Sequence, residues 1–261
     1  MNAFLRELIS GVRMHATAFR FIHQQKLYLW LLLPIAINVA LFVSTFGLSS
    51  YFSDALTQWL TAWMGSEDSL WQKVLYWTIF LGSRLLVFFA YALFYKNLVF
   101  IVLSPLLAFL SEKTDEKATG NSYPFSWSQL LKDVIRGVRL AVRNLLYELG
   151  LSLVLLAFGF VPLVGWISPI LLLMVQSYFY GFSMLDYNCE RYKMNTTESL
   201  RFVRTHRGLA IGLGLSFYGL FLLPYVGWII APVWGIVAAT LAFLQIKKAG
   251  NLKASGFETA S

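Results

Sequence analysis

The sequence predicts an all-α integral membrane protein with two long transmembrane helices, two re-entrant helical hairpins and amphipathic interfacial helices. Of its 261 residues, 58% are hydrophobic and only 13% are charged, whereas a soluble domain carries about 25% charged residues. Uncharged runs of membrane length alternate with short charged segments. We therefore expect residues 1–261 to form a single membrane domain.

Residues 1–26 are predicted to form an amphipathic interfacial helix. Their apolar residues recur at helical spacing, and Arg6, Arg13 and Arg20 lie seven residues apart, so they share one face. A basic face opposite an apolar face suits a helix that lies in the membrane interface. The alternative is the first core-facing helix of a bundle.

Two long transmembrane helices are predicted at 27–48 and 74–110. The first segment is uncharged and long enough to cross about 30 Å of hydrocarbon. Residues 49–73 are predicted to form a polar connection, with tryptophans typical of a membrane interface. Because 74–110 is longer than one span, we expect it to leave the bilayer or to bend near Ser104 and Pro105.

The two hairpins are predicted from an internal repeat. A basic amphipathic helix at 126–148 precedes an uncharged run at 149–185, and a second uncharged run covers 208–246. Each run is interrupted by Pro-x-Val-Gly-Trp-Ile, and a small residue with a second proline follows, directly in the first run and after Ile230 in the second. The predicted arms of about 13 to 17 residues reach only about 20 to 25 Å, which favours hairpins that enter the bilayer partway. Two ordinary spans per run are the alternative.

Charge predicts the orientation. The segment 1–26, the linker 186–207 and the tail 247–261 are basic, whereas 49–73 is acidic. The positive-inside bias therefore places both termini and the linker in the cytoplasm, and six full spans would give the same sidedness. Within the linker, Asn195 and Glu198 have the spacing of a helix-capping box.

No catalytic or metal-binding motif is present. Cys189 is the single cysteine, and His15, His23 and His206 lack metal-ligand spacing with it. We therefore predict neither an enzyme nor a cofactor. The net charge of +8 indicates contact with anionic membrane lipids and not with nucleic acid, since the basic residues flank the apolar runs.

The hairpin tips are the first candidate anion sites. Pro169 and Pro232 are predicted to begin descending helices, whose N-termini would present backbone donors beside Gly165 and Gly227. A plain packed turn is the alternative. Arg84, a charge inside an apolar segment, is a further candidate, unless it extends to the interface.

The chain resembles the CysZ-type sulfate permeases and the related etoposide-induced protein family from about residue 5 to 245. The most specific part of the resemblance is the linker region, and other parts are the first hairpin tip and the segment after Ser104. The residues that carry it are Leu185-Asp186-Tyr187, Arg191-Tyr192, Glu198 to Arg204, His206 to Ala210, Gly212, Gly214, Pro162 to Gly165, and Ser104-Pro105 to Glu112.

The resemblance implies a homo-oligomeric protein of the bacterial inner membrane that takes up sulfate for cysteine synthesis. Permeases of this type carry a Gly-Leu-Arg element before the first span, implicated in sulfate binding. The matching positions here are Lys26, Leu27 and Tyr28, so the arginine is missing.

The predicted function is thus passage of a small oxyanion, with sulfate as the leading substrate. Lys26, Arg84, Gly165 and Gly227 are the predicted binding residues. A membrane scaffold or lipid-interacting protein of the same family is the alternative.

Overall fold

The computed structural model describes residues 2–62, 69–122, 127–159, 165–223 and 226–250. These ranges contain nine α-helices and no strand, which confirms the all-α class. The helices are α1 (Ala3–Gln24), α2 (Tyr28–Thr61), α3 (Leu70–Val102), α4 (Ser104–Thr119), α5 (Trp127–Gly159), α6 (Ser168–Arg191), α7 (Thr196–Thr205), α8 (Arg207–Phe221) and α9 (Val226–Lys248). They form two compact units, one of residues 1–35 and 100–261 and the other of residues 36–99.

Helix α8 packs between α1 and α6 in the larger unit. Small residues let the backbones approach closely, because a Cβ on Gly212 would lie 2.2 Å from the Leu8 carbonyl oxygen of α1. On the other side of α8, a Cβ on Gly214 would lie 1.7 Å from the Ser177 carbonyl oxygen of α6. This close packing of small residues is typical of membrane helices.

Helix α1 has features of both the amphipathic interfacial helix and the core-facing bundle helix that the sequence suggested. Gly11, His15 and Ala18 are buried where it packs against α8 and α9, as the core-facing alternative requires. Its three arginines are exposed, and so are apolar side chains such as Phe19. The helix therefore belongs to the bundle and still presents a mixed basic and apolar surface.

The predicted capping box of α7 is confirmed. The Asn195 side chain accepts a hydrogen bond from the Glu198 amide at 2.9 Å, and the Glu198 carboxylate accepts one from the Asn195 amide at 2.7 Å. A helix boundary lies at the position of the bend predicted near Ser104, because α3 ends at Val102 and α4 begins at Ser104 with Pro105 in its first turn.

The polar connection predicted at 49–73 is wrong over 49–61, where α2 continues as a helix. The hydroxyl groups in this region do not end the helix, because they donate to carbonyl oxygens one turn earlier. Ser50 donates to Phe46 at 3.1 Å and Thr57 donates to Ser53 at 2.8 Å.

The predicted boundary at 148 between an amphipathic helix and the first hairpin is also absent. Helix α5 runs without interruption from Trp127 to Gly159, since a change from basic to apolar composition does not break backbone hydrogen bonding. The arms predicted at about 13 to 17 residues are too short for α5 with 33, α6 with 24 and α9 with 23 residues. Only α8, with 15 residues, has the predicted length among the described arms.

Four described helices are long and apolar enough to cross a membrane. They are Leu31–Thr61, Ile135–Gly159, Ser168–Arg191 and Ile229–Lys248. Partial penetration by the hairpins stays a prediction.

The two prolines behave differently. Pro169 lies in the first turn of α6, as predicted. The prediction for Pro232 is wrong, because α9 already begins at Val226 and contains Pro232 in its interior. Membrane helices tolerate such a proline. The tip residues 160–164 and 224–225 and the tail 251–261 lie outside the described residues.

Candidate functional site

In the smaller unit, α2 and α3 contact each other through small polar side chains. The hydroxyl oxygens of Thr57 and Ser83 lie 2.6 Å apart, and both residues are buried. Within its own helix, the Thr57 hydroxyl also lies 2.8 Å from the Ser53 carbonyl oxygen, and the Ser83 hydroxyl lies 3.0 Å from the Phe80 carbonyl oxygen. Serine and threonine serve this purpose because they permit close approach and can form hydrogen bonds between helices.

Arg84 lies beside this contact and pairs with Asp54. The Arg84 Nη2 atom is 2.6 Å from Asp54 Oδ1, and the two side chains are 43% and 54% exposed. The guanidinium carbon also lies 4.5 Å from the centre of the Phe80 ring. The charge is therefore held at a fixed place, but it remains open on one side.

A pocket of about 250 Å³ opens next to Arg84. It is lined by Phe46, Ser49, Ser50, Ser53, Leu81, Arg84, Leu85 and Val87. The Ser53 hydroxyl is buried and has no hydrogen-bond partner among the described residues. A cation and unused hydrogen-bond donors are the groups that a small oxyanion needs to replace its water shell.

Lys26 lies in the turn between α1 and α2. Its backbone has the left-handed φ of 51°, its side chain is exposed, and the following Leu27 is fully buried. This position orients the chain into α2 and leaves the ammonium group free to meet solvent or lipid headgroups. A role in anion binding stays a prediction.

Gly165 and Gly227 have different surroundings. Gly165 is in the turn before α6, and its carbonyl accepts from the Ser168 amide at 3.3 Å. Gly227 lies in the first turn of α9, where its amide donates to Leu223 at 3.0 Å. A Cβ there would lie 1.8 Å from the Leu220 carbonyl oxygen. Gly227 therefore has a packing role, and anion binding at either glycine stays a prediction.

The three predicted residues of the larger unit are not joined directly. Within its described residues, no hydrogen bond or ion pair connects any two of Lys26, Gly165 and Gly227. Arg84 belongs to the smaller unit, and the other three belong to the larger unit.

Two further arginines of the larger unit, Arg191 with a buried side chain and Arg136 with a partly buried one, are held by carboxylates of the chain. Arg191 Nε lies 3.0 Å from Asp115 Oδ2, and both side chains are almost fully buried. Arg191 also donates to Ser111 and to Asn188. This cluster joins α4 to α6. Because the Arg191 charge is neutralised by Asp115, its role is to stabilise the packing of these helices.

Arg136 makes the second cluster. It donates to Asp186 at 3.2 Å and to Ser199 at 2.9 Å, and it lies 3.7 Å from Glu190. The contacts tie α5 to α6 and α7. Two carboxylates face one guanidinium here, so the surroundings disfavour a further anion.

His15 is the titratable group in α1 whose surroundings change its chemistry most. Burial lowers its pKa from 6.5 to about 4, because the imidazolium would lose its hydration. It is therefore neutral at pH 7. No group of three or more His, Cys, Asp or Glu side chains is arranged to hold a metal ion in the described ranges.

The sequence did not reveal Ser53 and Asp54 as neighbours of Arg84 in the candidate site. Both lie in the segment interpreted as a connection, and Asp54 is separated from Arg84 by 30 positions. If α2 is continued as a helix, Ser49, Ser53 and Thr57 lie on one face, because they are four residues apart. This spacing was the sequence signal that could have predicted a polar helix face at this position.

Comparison of the sequence with known protein families identifies the family of this chain. The sequence model of the family described as sulfate transporter CysZ/etoposide-induced protein 2.4 matches residues 15–232. The chain belongs to this family. The resemblance found in the linker and the hairpin motifs is thereby confirmed.

Similar proteins cover nearly the whole chain. The sulfate transporter CysZ of Pseudomonas paraeruginosa is 28% identical over 244 residues, which are 91% of this chain and 95% of the relative. The protein of the same name from Pseudomonas fluorescens is 27% identical over 252 residues, covering 94% and 97%. That of Pectobacterium atrosepticum is 25% identical over 250 residues, covering 94% and 88%. With four apolar helices, these matches indicate a bacterial membrane protein.

Proposed function

We propose that this protein carries sulfate across the bacterial inner membrane and so supplies cysteine synthesis. The observation that carries the proposal is the match to relatives named sulfate transporter CysZ over at least 91% of the chain. The described residues add a pocket lined by Arg84, which carries a positive charge, and by Ser53, whose buried hydroxyl has no partner in the described part of the chain. Carriage of an ion needs such groups, but no covalent chemistry, so the protein is not an enzyme.

The binding step depends on replacing the hydration of a divalent anion. A buried anion without partners would cost many kcal/mol, so positive charge and hydrogen-bond donors must meet it. Arg84 provides the charge in the α2–α3 pocket, which Ser49 and Ser53 also line. Lys26 attracts the ion at the start of α2, and backbone groups near Gly165 and Gly227 contribute at the hairpin tips.

The membrane arrangement has two long helices and two hairpins that enter the bilayer partway. The length of α8 supports the second hairpin, because 15 residues extend only about 22 Å, short of the roughly 30 Å of hydrocarbon. Both termini face the cytoplasm, lipids surround the apolar surface, and several copies assemble into a homo-oligomer.

Flux measurements in proteoliposomes test the function. We expect the purified full chain to release trapped radiolabelled sulfate, Arg84→Gln to reduce the flux strongly, and Lys26→Gln to reduce it partially. The Lys26 effect should be larger at low salt, where screening is weaker. Lys248→Gln, which removes an exposed charge at the end of α9, is the matched control and should leave flux unchanged.

Flux at background for sulfate, thiosulfate and phosphate would end the transport proposal and favour the membrane scaffold. The glycine sites are tested at Gly165→Val, because Gly227→Val would collide with Leu220 and disturb packing. We expect Gly165→Val to reduce flux at equal protein abundance.

Cysteine labelling tests the arrangement. The native Cys189 is buried, so reporters can be introduced into the unmodified chain. Reporters at positions 2 and 258 should react only from the cytoplasmic side. Reporters at Leu163 and Tyr225 should resist an impermeant reagent, and rapid labelling from the periplasm would instead support six full spans.

A further inference from the structure

The positive charge in the α2–α3 pocket already has an anionic ligand from the same chain. Asp54 approaches Arg84 at 2.6 Å, which is the short distance of a charge-assisted hydrogen bond. Both side chains are about half exposed. A carboxylate in such a setting can leave its partner and become hydrated at little cost, since exposed ion pairs are weak.

A buried hydroxyl without a partner in the described part of the chain lies directly beside this pair. Ser53 precedes Asp54 on α2, lines the pocket with Arg84, and has a buried hydroxyl without a hydrogen-bond partner in the described part of the chain. Asp54 itself does not line the pocket. An oxyanion in the pocket would therefore draw on the same guanidinium charge that Asp54 already neutralises.

The pair is also suitably placed along α2. Asp54 follows Leu31, the start of the apolar span, by roughly 35 Å of helix at about 1.5 Å per residue. A hydrocarbon layer of about 30 Å ends before that point if it begins at Leu31. The pair then lies near the membrane surface, where an ion would enter or leave the pocket.

We propose that Asp54 is an internal counter-anion that competes with the transported oxyanion for Arg84. When the oxyanion binds, Asp54 moves into water, and when the oxyanion departs, Asp54 returns to the guanidinium. The exchange keeps binding weak enough for release, which conduction through any ion site requires. This inference rests on the proposed sulfate transport and names a residue that sets the affinity of its binding site.

Competition predicts a defined change in Asp54→Asn. Because the competitor is removed, the sulfate concentration for half-maximal flux falls by about 1.5- to 5-fold, the factor that an exposed ion pair represents. The maximal flux stays the same or falls, because release becomes slower. Asp54→Glu keeps the carboxylate and should behave like the wild type.

A monovalent anion separates competition from simple repulsion. Removing a competitor strengthens the binding of chloride and of sulfate by the same factor, because both gain access to the same freed guanidinium. Removing a repelling charge changes the binding free energy of divalent sulfate about twice as much as that of monovalent chloride, since Coulomb energies scale with charge. The sulfate factor would then be about the square of the chloride factor.

The experiment uses the full chain in proteoliposomes, with gluconate salts as the background and chloride as the inhibitor of sulfate flux. Glu116→Gln is the matched control, because it removes the carboxylate of a comparable 2.7 Å pair with Lys113 on α4. We expect Asp54→Asn to lower the half-maximal sulfate and the half-inhibitory chloride concentrations by similar factors, and Glu116→Gln to change neither.

Three results would overturn the inference. The first is a change below 1.5-fold for both anions, together with a lower melting temperature, which would leave the pair a purely structural link between α2 and α3. The second is a mismatch between the two anions, in which the fold-change in half-maximal sulfate concentration is closer to the square of the fold-change in half-inhibitory chloride concentration than to that fold-change itself. The third is the absence of sulfate binding to the wild-type protein in calorimetry.

Calorimetry also separates this inference from the proposed function. If the wild type binds sulfate but shows no flux, the transport proposal fails, and the same variants test Asp54 through their dissociation constants. If flux is present but Asp54→Asn has no effect on either anion, transport stands and only the role of Asp54 is wrong.

Discussion

Removing the charge of Asp115 should destabilise the protein far more than removing the charge of its neighbour Glu116. The Asp115 carboxylate is fully buried in α4 and lies 3.0 Å from Arg191. It also accepts hydrogen bonds of 2.8 Å from Tyr192 and from Thr119. Asp115→Asn keeps the shape of the side chain but takes the negative charge away from a buried guanidinium.

The expected cost follows from burial. Breaking one side of a buried ion pair costs about 3 to 5 kcal/mol. The Glu116 pair with Lys113 has the shorter distance of 2.7 Å, but its side chains are 36% and 27% exposed, so its loss should cost at most about 1 kcal/mol. At about 2 to 4 °C per kcal/mol for a chain of this size, Asp115→Asn should lower the melting temperature by roughly 6 to 20 °C.

Thermal unfolding of the purified full chain in one detergent measures both variants. Glu116→Gln should lower the melting temperature by no more than about 4 °C. Equal decreases for the two variants would refute the reasoning that burial decides the cost. The double variant Asp115→Leu with Arg191→Met should lose less stability than Asp115→Asn, because it leaves no unpaired charge buried.

Three further variants test the fold. Gly214→Ala should destabilise by about 1 to 3 kcal/mol, because its Cβ would meet the Ser177 carbonyl oxygen, as thermal unfolding would show. Asn195→Ala should cost about 1 kcal/mol in the same assay, through loss of the α7 cap. The wild type should lose up to about 3 kcal/mol as pH falls from about 6.5 to about 4, since burial lowers the pKa of His15 to about 4 and the unfolded chain takes up the proton first. His15→Leu should flatten this part of the stability curve.

Each of these variants has a control variant in the same chain. Gly219→Ala, whose Cβ would meet nothing within 4 Å, should be neutral or stabilising, and a loss equal to that of Gly214→Ala would exclude backbone contact as the cause. His23 is exposed on the same helix, so a pH curve that flattens equally in His23→Leu would contradict the assignment to His15. For Asn195→Ala, rescue by Asn195→Ser would identify the cap, and an equal loss in Asn195→Ser would argue against it.

Local signals in the sequence predicted several elements, because their causes are local. The α7 cap needs only Asn195 and Glu198 three residues apart, and Pro169 fits the first turn of a helix wherever it occurs. The end of α2 was not predicted, because Ser50 and Thr57 satisfy their hydroxyl groups within the helix. Composition alone does not distinguish that behaviour from a polar loop.

The site was predicted only in part for a different reason. Arg84 stands out as a charge in an apolar run, but its pairing with Asp54 depends on the register between α2 and α3. The sequence does not contain a local signal for that register. Pro232 shows the same limit within one helix, because the repeat matched its motif to that of Pro169, while one additional residue, Ile230, and an earlier start of α9 changed its position.

The left-handed backbone of Lys26 places two demands on a single residue. A φ of 51° costs a lysine roughly 1 to 2 kcal/mol, which a glycine would not lose. The family element that resembles this turn begins with glycine and carries its cation two residues later, whereas here the cation occupies the bend itself. Lys26→Gly should therefore raise thermal stability, and under the proposed function it should also weaken anion capture at the start of α2.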